Sequence, residues 1–122
     1  MSSYKFISGI IPQKVKFPKE SFLIAGISHY QDNMRYISLD TKLTMIKEPE
    51  NKYDKNAIKI KYEDKCLGYV PNKSFYKDLC FNNINYSLNI INIKRDKESN
   101  NYGIRVIPES YYTPDMKELS IF

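Results

Sequence analysis

Ile46-Lys47-Glu48-Pro49-Glu50-Asn51-Lys52-Tyr53-Asp54-Lys55-Asn56-Ala57-Ile58-Lys59-Ile60 is the stretch on which the fold of this chain turns. A strand enters it: across Leu39 to Lys47, Leu43 and Met45 alternate with Lys42 and Thr44, the period of two that puts one face of a strand inward. Glu48-Pro49 ends that strand, because proline has no N–H to give to a ladder. A polar loop follows. The alternation then resumes in Ala57-Ile58-Lys59-Ile60-Lys61-Tyr62, with the lysines at 59 and 61 expected on the solvated face. Glu63-Asp64-Lys65 makes a tight turn into Cys66-Leu67-Gly68-Tyr69-Val70, and the pair reads as a hairpin.

Working outward, Phe22 to Ile27 is an apolar run with Gly26 inside it, which predicts a strand buried on both faces or bent at that glycine. Pro71 stops the strand before it, and Asn72 is placed to cap a helix through Ser74 and Cys80, with Phe75, Tyr76, Leu79 and Cys80 as its inward face. After an Asn82-Asn83 break, Leu88 and Ile90 share one parity while Ile91 and Ile93 share the other. A parity switch inside one strand predicts a β-bulge. Tyr102 to Ile107 is a last strand, with Ile104 and Val106 opposite Arg105. The fold class expected is mainly β: a small OB-like, partly open barrel of five to six strands with one short helix. Residues 1–20, including Pro12, Lys14, Lys16 and Pro18, read as an arm or edge strand. Residues 21–108 read as the barrel, and 109–122 as a tail in which Leu119, Ile121 and Phe122 could dock.

Composition narrows the function classes. The 122 residues leave room for one core, and an apolar share of 42% is enough to build it. The longest apolar runs fall far short of a membrane span, and Met1-Ser2-Ser3-Tyr4-Lys5 lacks the features of a secretory leader. An intracellular protein, cytoplasmic or nuclear and DNA-associated, is expected, neither secreted nor membrane-bound. Cys66 and Cys80 sit among apolar neighbours and read as core thiols; with a single histidine, no structural metal site and no cofactor are called for. The net charge of +5 comes mostly from lysine, with arginine only at 35, 95 and 105. Lysine is a point charge, so a nucleic-acid partner would be gripped by its backbone more than read by its bases.

The motif segment, taken with Gly26, with His29-Tyr30 beyond it, and with Leu67-Gly68-Tyr69-Val70-Pro71 downstream, closely resembles the HIRAN domain family. That family's pattern runs from an apolar strand with glycine and a following aromatic, through Glu-Pro, Asn, Tyr-Asp and Asn-Ala-Ile, to Gly-Tyr with an apolar residue and often proline. The resemblance spans about Phe22 to Ile107, and its run Tyr53-Asp54-Lys55-Asn56-Ala57-Ile58 is specific in the right strand order. It implies a modified OB-like barrel that binds single-stranded DNA, above all a free 3′ end, in DNA repair or replication. No G-x-x-x-x-G-K-[ST] loop occurs, so the chain is similar to a stand-alone member without the SNF2-type translocase motor, of a kind that bacteria, phages and large viruses encode. Ser28 stands where the family has a basic residue, Lys52 where it has a small residue or proline, and Asn72, followed by Lys73, at another basic position.

The residues expected to meet DNA follow. His29, Tyr30, Tyr53 and Tyr69 can offer flat rings to unpaired bases. Lys52, Lys55 and Lys73 flank those rings and can meet phosphates. Asp54, helped by Asn51, can accept a hydrogen bond from a terminal 3′-hydroxyl, and its negative charge is expected to repel a 3′-phosphate and so weaken binding of that end. Asp54 can equally bond its own backbone in a turn, and Asn56 reads as structural. Two further classes compete. Glu48, Glu50 and Asp54 could collect a cation for a nuclease, but the upstream acidic partner of an E-x-K site is missing. A protein-interaction module is the stronger alternative, in which the same scaffold binds a host repair or defence factor or a separate motor.

Overall fold

The structure is a computed structural model that describes residues 16–81 and 87–121. The expectations for Pro12 and Lys14, for the Asn82-Asn83 break, and for docking by the side chains of Leu119, Ile121 and Phe122 lie outside the described residues. Among the described residues there are six strands, β1 (Phe22–Leu23), β2 (Lys42–Lys47), β3 (Ile58–Tyr62), β4 (Lys65–Tyr69), β5 (Ser87–Arg95) and β6 (Tyr102–Pro108), and one α-helix, α1 (Ser74–Phe81). All neighbours pair antiparallel in the order β1-β6-β5-β2-β3-β4. The fold is mainly β, a sheet curled into a half-barrel with one short helix.

The period-two patterns become the core. Leu43 and Met45 on β2, Ile58 and Ile60 on β3, and Ile104 and Val106 on β6 are all buried in one cluster. The bulge expected in β5 is present: Ile90 pairs with Val106 and Asn92 with Arg105, so Ile91 is the extra residue. A second bulge, without a parity signal in the sequence, lies in β4. There Ile60 pairs with Gly68 and Lys61 with Cys66, leaving Leu67 between them. Both irregularities tighten the local twist and help the sheet to curl.

The run from Phe22 to Ile27 departs from a continuous strand. Only Phe22 and Leu23 pair with β6, through Val106 and Arg105. Ile24 still donates to the Ile104 carbonyl at 3.0 Å, but Ala25 turns its backbone to β4 and bridges Tyr69. Gly26 then takes φ +73°, a left-handed conformation that glycine adopts without strain, and the chain leaves in 3-10 turns from Ile27 to Tyr36. The run is therefore a seam between the sheet's two edges.

The 3-10 segment spans the rest of that gap through side-chain amides. Gln31 Oε1 accepts from the Tyr102 N–H at 2.7 Å, and its Nε2 donates to the Tyr102 carbonyl at 2.9 Å. On the other side Asn33 Nδ2 donates to the Cys66 carbonyl at 2.8 Å.

The helix starts where expected but faces differently. The Lys77 N–H bonds the Lys73 carbonyl at 3.1 Å, so Lys73 holds the cap position instead of Asn72. Phe75 is 48% exposed, while Lys77 at 8% and Cys80 at 0% are the buried residues. Tyr76 packs on Phe22 with ring centroids 5.3 Å apart. Burial pushes the Cys80 thiol up to about 12, as expected of a core cysteine, whereas Cys66 is only half-buried.

Candidate nucleic-acid interface

The loop between β2 and β3 is closed on itself by its own polar side chains. Its ends meet where the Glu48 N–H donates to the Ala57 carbonyl at 2.9 Å. Inside, Asn51 Oδ1 accepts from the backbone N–H groups of Tyr53 and Asp54 at 2.9 and 3.0 Å, and Asp54 Oδ1 accepts from the Asn56 N–H at 2.9 Å. These are Asx turns, in which a short side chain replaces a backbone partner and fixes the loop without a ladder.

Glu48 anchors this loop to the barrel. Its carboxylate accepts from Asn51 Nδ2 at 2.7 Å and from the Tyr69 hydroxyl at 2.8 Å, and pairs with Lys59 at 2.9 Å. The Asn51 and Lys59 hydrogen bonds hold Glu48 below the usual carboxylate range. Burial and the bond to Glu48 push the Tyr69 phenol up. Lys59, expected on a solvated face, is instead half-buried against Glu48 and raised by that bond. With this partner Glu48 is not placed to collect a cation. Among the described residues no group of three or more His, Cys, Asp or Glu is arranged to hold a metal ion.

Asn51, Tyr53, Asp54 and Tyr69, all named from the sequence, line one open cavity of about 320 Å³ together with Ala25, Ala57, Val70 and Asn72. Tyr53 is 95% exposed at its mouth. Two larger cavities, of about 490 and 430 Å³, meet at Tyr102 and contain none of the motif residues. Lys52, Lys55 and Lys73 are exposed and do not line the cavity. His29 is exposed on the 3-10 segment. Tyr30 sits at the kink of that segment, half-buried. Its hydrogen bond to Cys66 comes first among the causes that raise its phenol, followed by burial. It neighbours the Glu48–Lys59–Tyr69 cluster and does not line the cavity.

One residue at this site escaped the sequence reading. Lys77 reaches out of α1 to Asp54 Oδ2, forming an ion pair in which the lysine side chain is only 10% exposed. That bond, with the Asn56 N–H, holds Asp54 below the usual carboxylate range. Its signal was the helical spacing of Lys77 and Cys80, three positions apart and so on one face, which the apolar residues at 75 and 79 obscured. Asp54 is therefore not the bare carboxylate that a loop position suggests.

A family model for the HIRAN domain matches residues 21–107. No curated protein matches, and no solved structure matches.

Proposed function

The chain belongs to the HIRAN domain family, and from that premise we propose that it binds single-stranded DNA at a free 3′ end, in repair or replication. The HIRAN domain is a DNA-binding module and is not catalytic by itself; the finer reading comes from the cavity. The observation that carries it is the placement of Tyr53, almost wholly exposed, at the mouth of a cavity whose wall holds Asn51 and Asp54. A ring in that position stacks on a terminal base, an interaction worth roughly 1–3 kcal/mol per base and indifferent to sequence. Asp54, each of whose oxygens has one partner, keeps lone pairs for a terminal hydroxyl. Lys52, Lys55 and Lys73 lie exposed around that wall and meet the phosphates behind the end. Tyr69 and Asn51 hold the loop through Glu48, and outside the cavity the strand would meet exposed His29 and half-buried Tyr30. The barrel, residues 21–108, is the binding unit.

Fluorescence anisotropy tests this with one labelled sequence in three forms: a 3′-hydroxyl strand, a 3′-dideoxy strand and a circle. The hydroxyl strand is expected to bind tightest. Equal affinity for all three rejects end recognition. A protein that binds none of them uses the scaffold to engage another protein, the reading that uncharged Ser28 and Asn72 favour.

A further inference from the structure

Lys77 is the one charged residue among the described residues that is buried as a whole. Taking an ammonium out of water is costly, and an unbranched apolar side chain such as methionine would fill the same space without that cost. Packing alone therefore does not account for lysine here. Its ammonium meets Asp54, and among the described residues Asp54 is the only charged one lining the cavity. At the start of the same loop, Glu48 is paired with half-buried Lys59. Glu48 and Asp54 thus each have a lysine partner, and the carboxylate of the cavity wall is matched by a cation, while exposed Lys52, Lys55 and Lys73 adjoin lining residues in sequence.

An isolated aspartate at this place would reject a strand ending in phosphate, which carries about −1.5 to −2 charges at neutral pH. We infer that Lys77 is a specificity-determining residue: by pairing with Asp54 it cancels the one carboxylate charge of the cavity and lets the site accept a 3′-phosphorylated strand end as well as a hydroxyl end. This rests on the end-binding reading above and gives it a substrate class. Strand ends bearing 3′-phosphate, the products of nucleolytic or oxidative cleavage of the sugar-phosphate backbone, become ligands and not bystanders.

The test is the ratio of affinities for 3′-phosphate and 3′-hydroxyl forms of one labelled single strand, with a circular strand alongside. The wild type is expected to bind both ends nearly alike. K77M is expected to lose the phosphate end selectively, by roughly ten- to thirtyfold, the effect of one uncompensated carboxylate on a phosphate of about −1.5 to −2 charges near 4 Å in bulk water. K77R keeps the wild-type ratio, and the D54N K77M double variant returns to it. D54N alone, which leaves the cation unopposed, shifts the ratio toward phosphate by a similar factor and serves even where K77M does not fold. An unchanged ratio in folded K77M or in D54N, with linear strands still preferred over circles, overturns this inference alone. So does a wild type that rejects the phosphate end. Equal binding of linear and circular strands overturns end recognition itself.

Discussion

Ala25 and Tyr69 exchange both of their backbone hydrogen bonds, at 2.8 and 2.9 Å, and so join the first strand run to the last-ordered strand of the sheet. Both residues also line the candidate cavity. The proposed binding site is thus built across the closure of the half-barrel: the motif residues Gly68 and Tyr69 both serve the seam, and Tyr69 also lines the cavity.

Gly68 is fixed by that closure. It holds φ +144°, and a Cβ there would lie 2.3 Å from the Ala25 carbonyl oxygen and 2.6 Å from Ile24 Cγ2. Gly68→Ala is expected to destabilise the fold by more than about 2 kcal/mol, since strained backbone and a clash with main chain add together. Gly26→Ala, at φ +73° with nothing within 4 Å, should cost only about 1–2 kcal/mol. Urea unfolding of the two variants checks the order, and a milder effect at Gly68 would contradict the seam.

Tyr53 should separate binding from stability. At 95% exposure its ring contributes little to the fold, so Tyr53→Ala is expected to move unfolding free energy by less than about 0.5 kcal/mol. Affinity for a single strand should fall by roughly 1–3 kcal/mol, the value of one stacked base. Anisotropy and thermal melts on the same preparation decide it; a large loss of stability would make Tyr53 a packing residue.

Salt dependence should be shallow. With Lys52, Lys55 and Lys73 as the phosphate contacts, log K against log salt for a single strand is expected to have a slope of about −2, at roughly 0.7 per phosphate. A slope several times steeper would point to a broad basic surface in place of an end pocket.

Acid should loosen the loop only below the ordinary carboxylate range. Glu48 and Asp54 are both held low, by Asn51 and Lys59 in one case and by Lys77 and the Asn56 N–H in the other. A carboxyl depressed in the folded state adds stability above its unfolded pKa of about 4 and loses it as pH falls through the folded value. Stability should therefore stay level from neutral pH to about 5 and decline below about 4. Glu48→Gln should be less stable at pH 7 and show a smaller acid decline. Parallel declines in variant and wild type would show that Glu48 is not a linked group.

The sequence made the sheet legible because one side of each long strand had to be apolar. Leu43 and Met45, Ile58 and Ile60, and Ile104 and Val106 carry that signal locally, and the doubled isoleucines at 90 and 91 carry the bulge. The site loop was legible for a similar reason, since Asn51 and Asp54 act on backbone groups only two or three residues away. What the sequence hid depends on distant partners. Ala25 ends a strand because Tyr69 waits on the other edge, Lys59 is drawn down by Glu48, and Lys77 is buried because Asp54 faces it. A lysine reads as surface in any local window, and only tertiary pairing reverses that.

The amide of Gln31 has an effect beyond holding a turn. It occupies both the donor and the acceptor of Tyr102, while Ile24 takes the carbonyl of Ile104 and Asn33 takes that of Cys66. A sheet edge with free N–H and C=O groups is a template on which a further strand, from a second copy or a foreign peptide, can grow. Here the two edges are filled at these points by the chain's own side chains and backbone. Self-association by sheet extension is blocked along this seam, and a partner that approaches it must be recognised by rings, charges and loop shape.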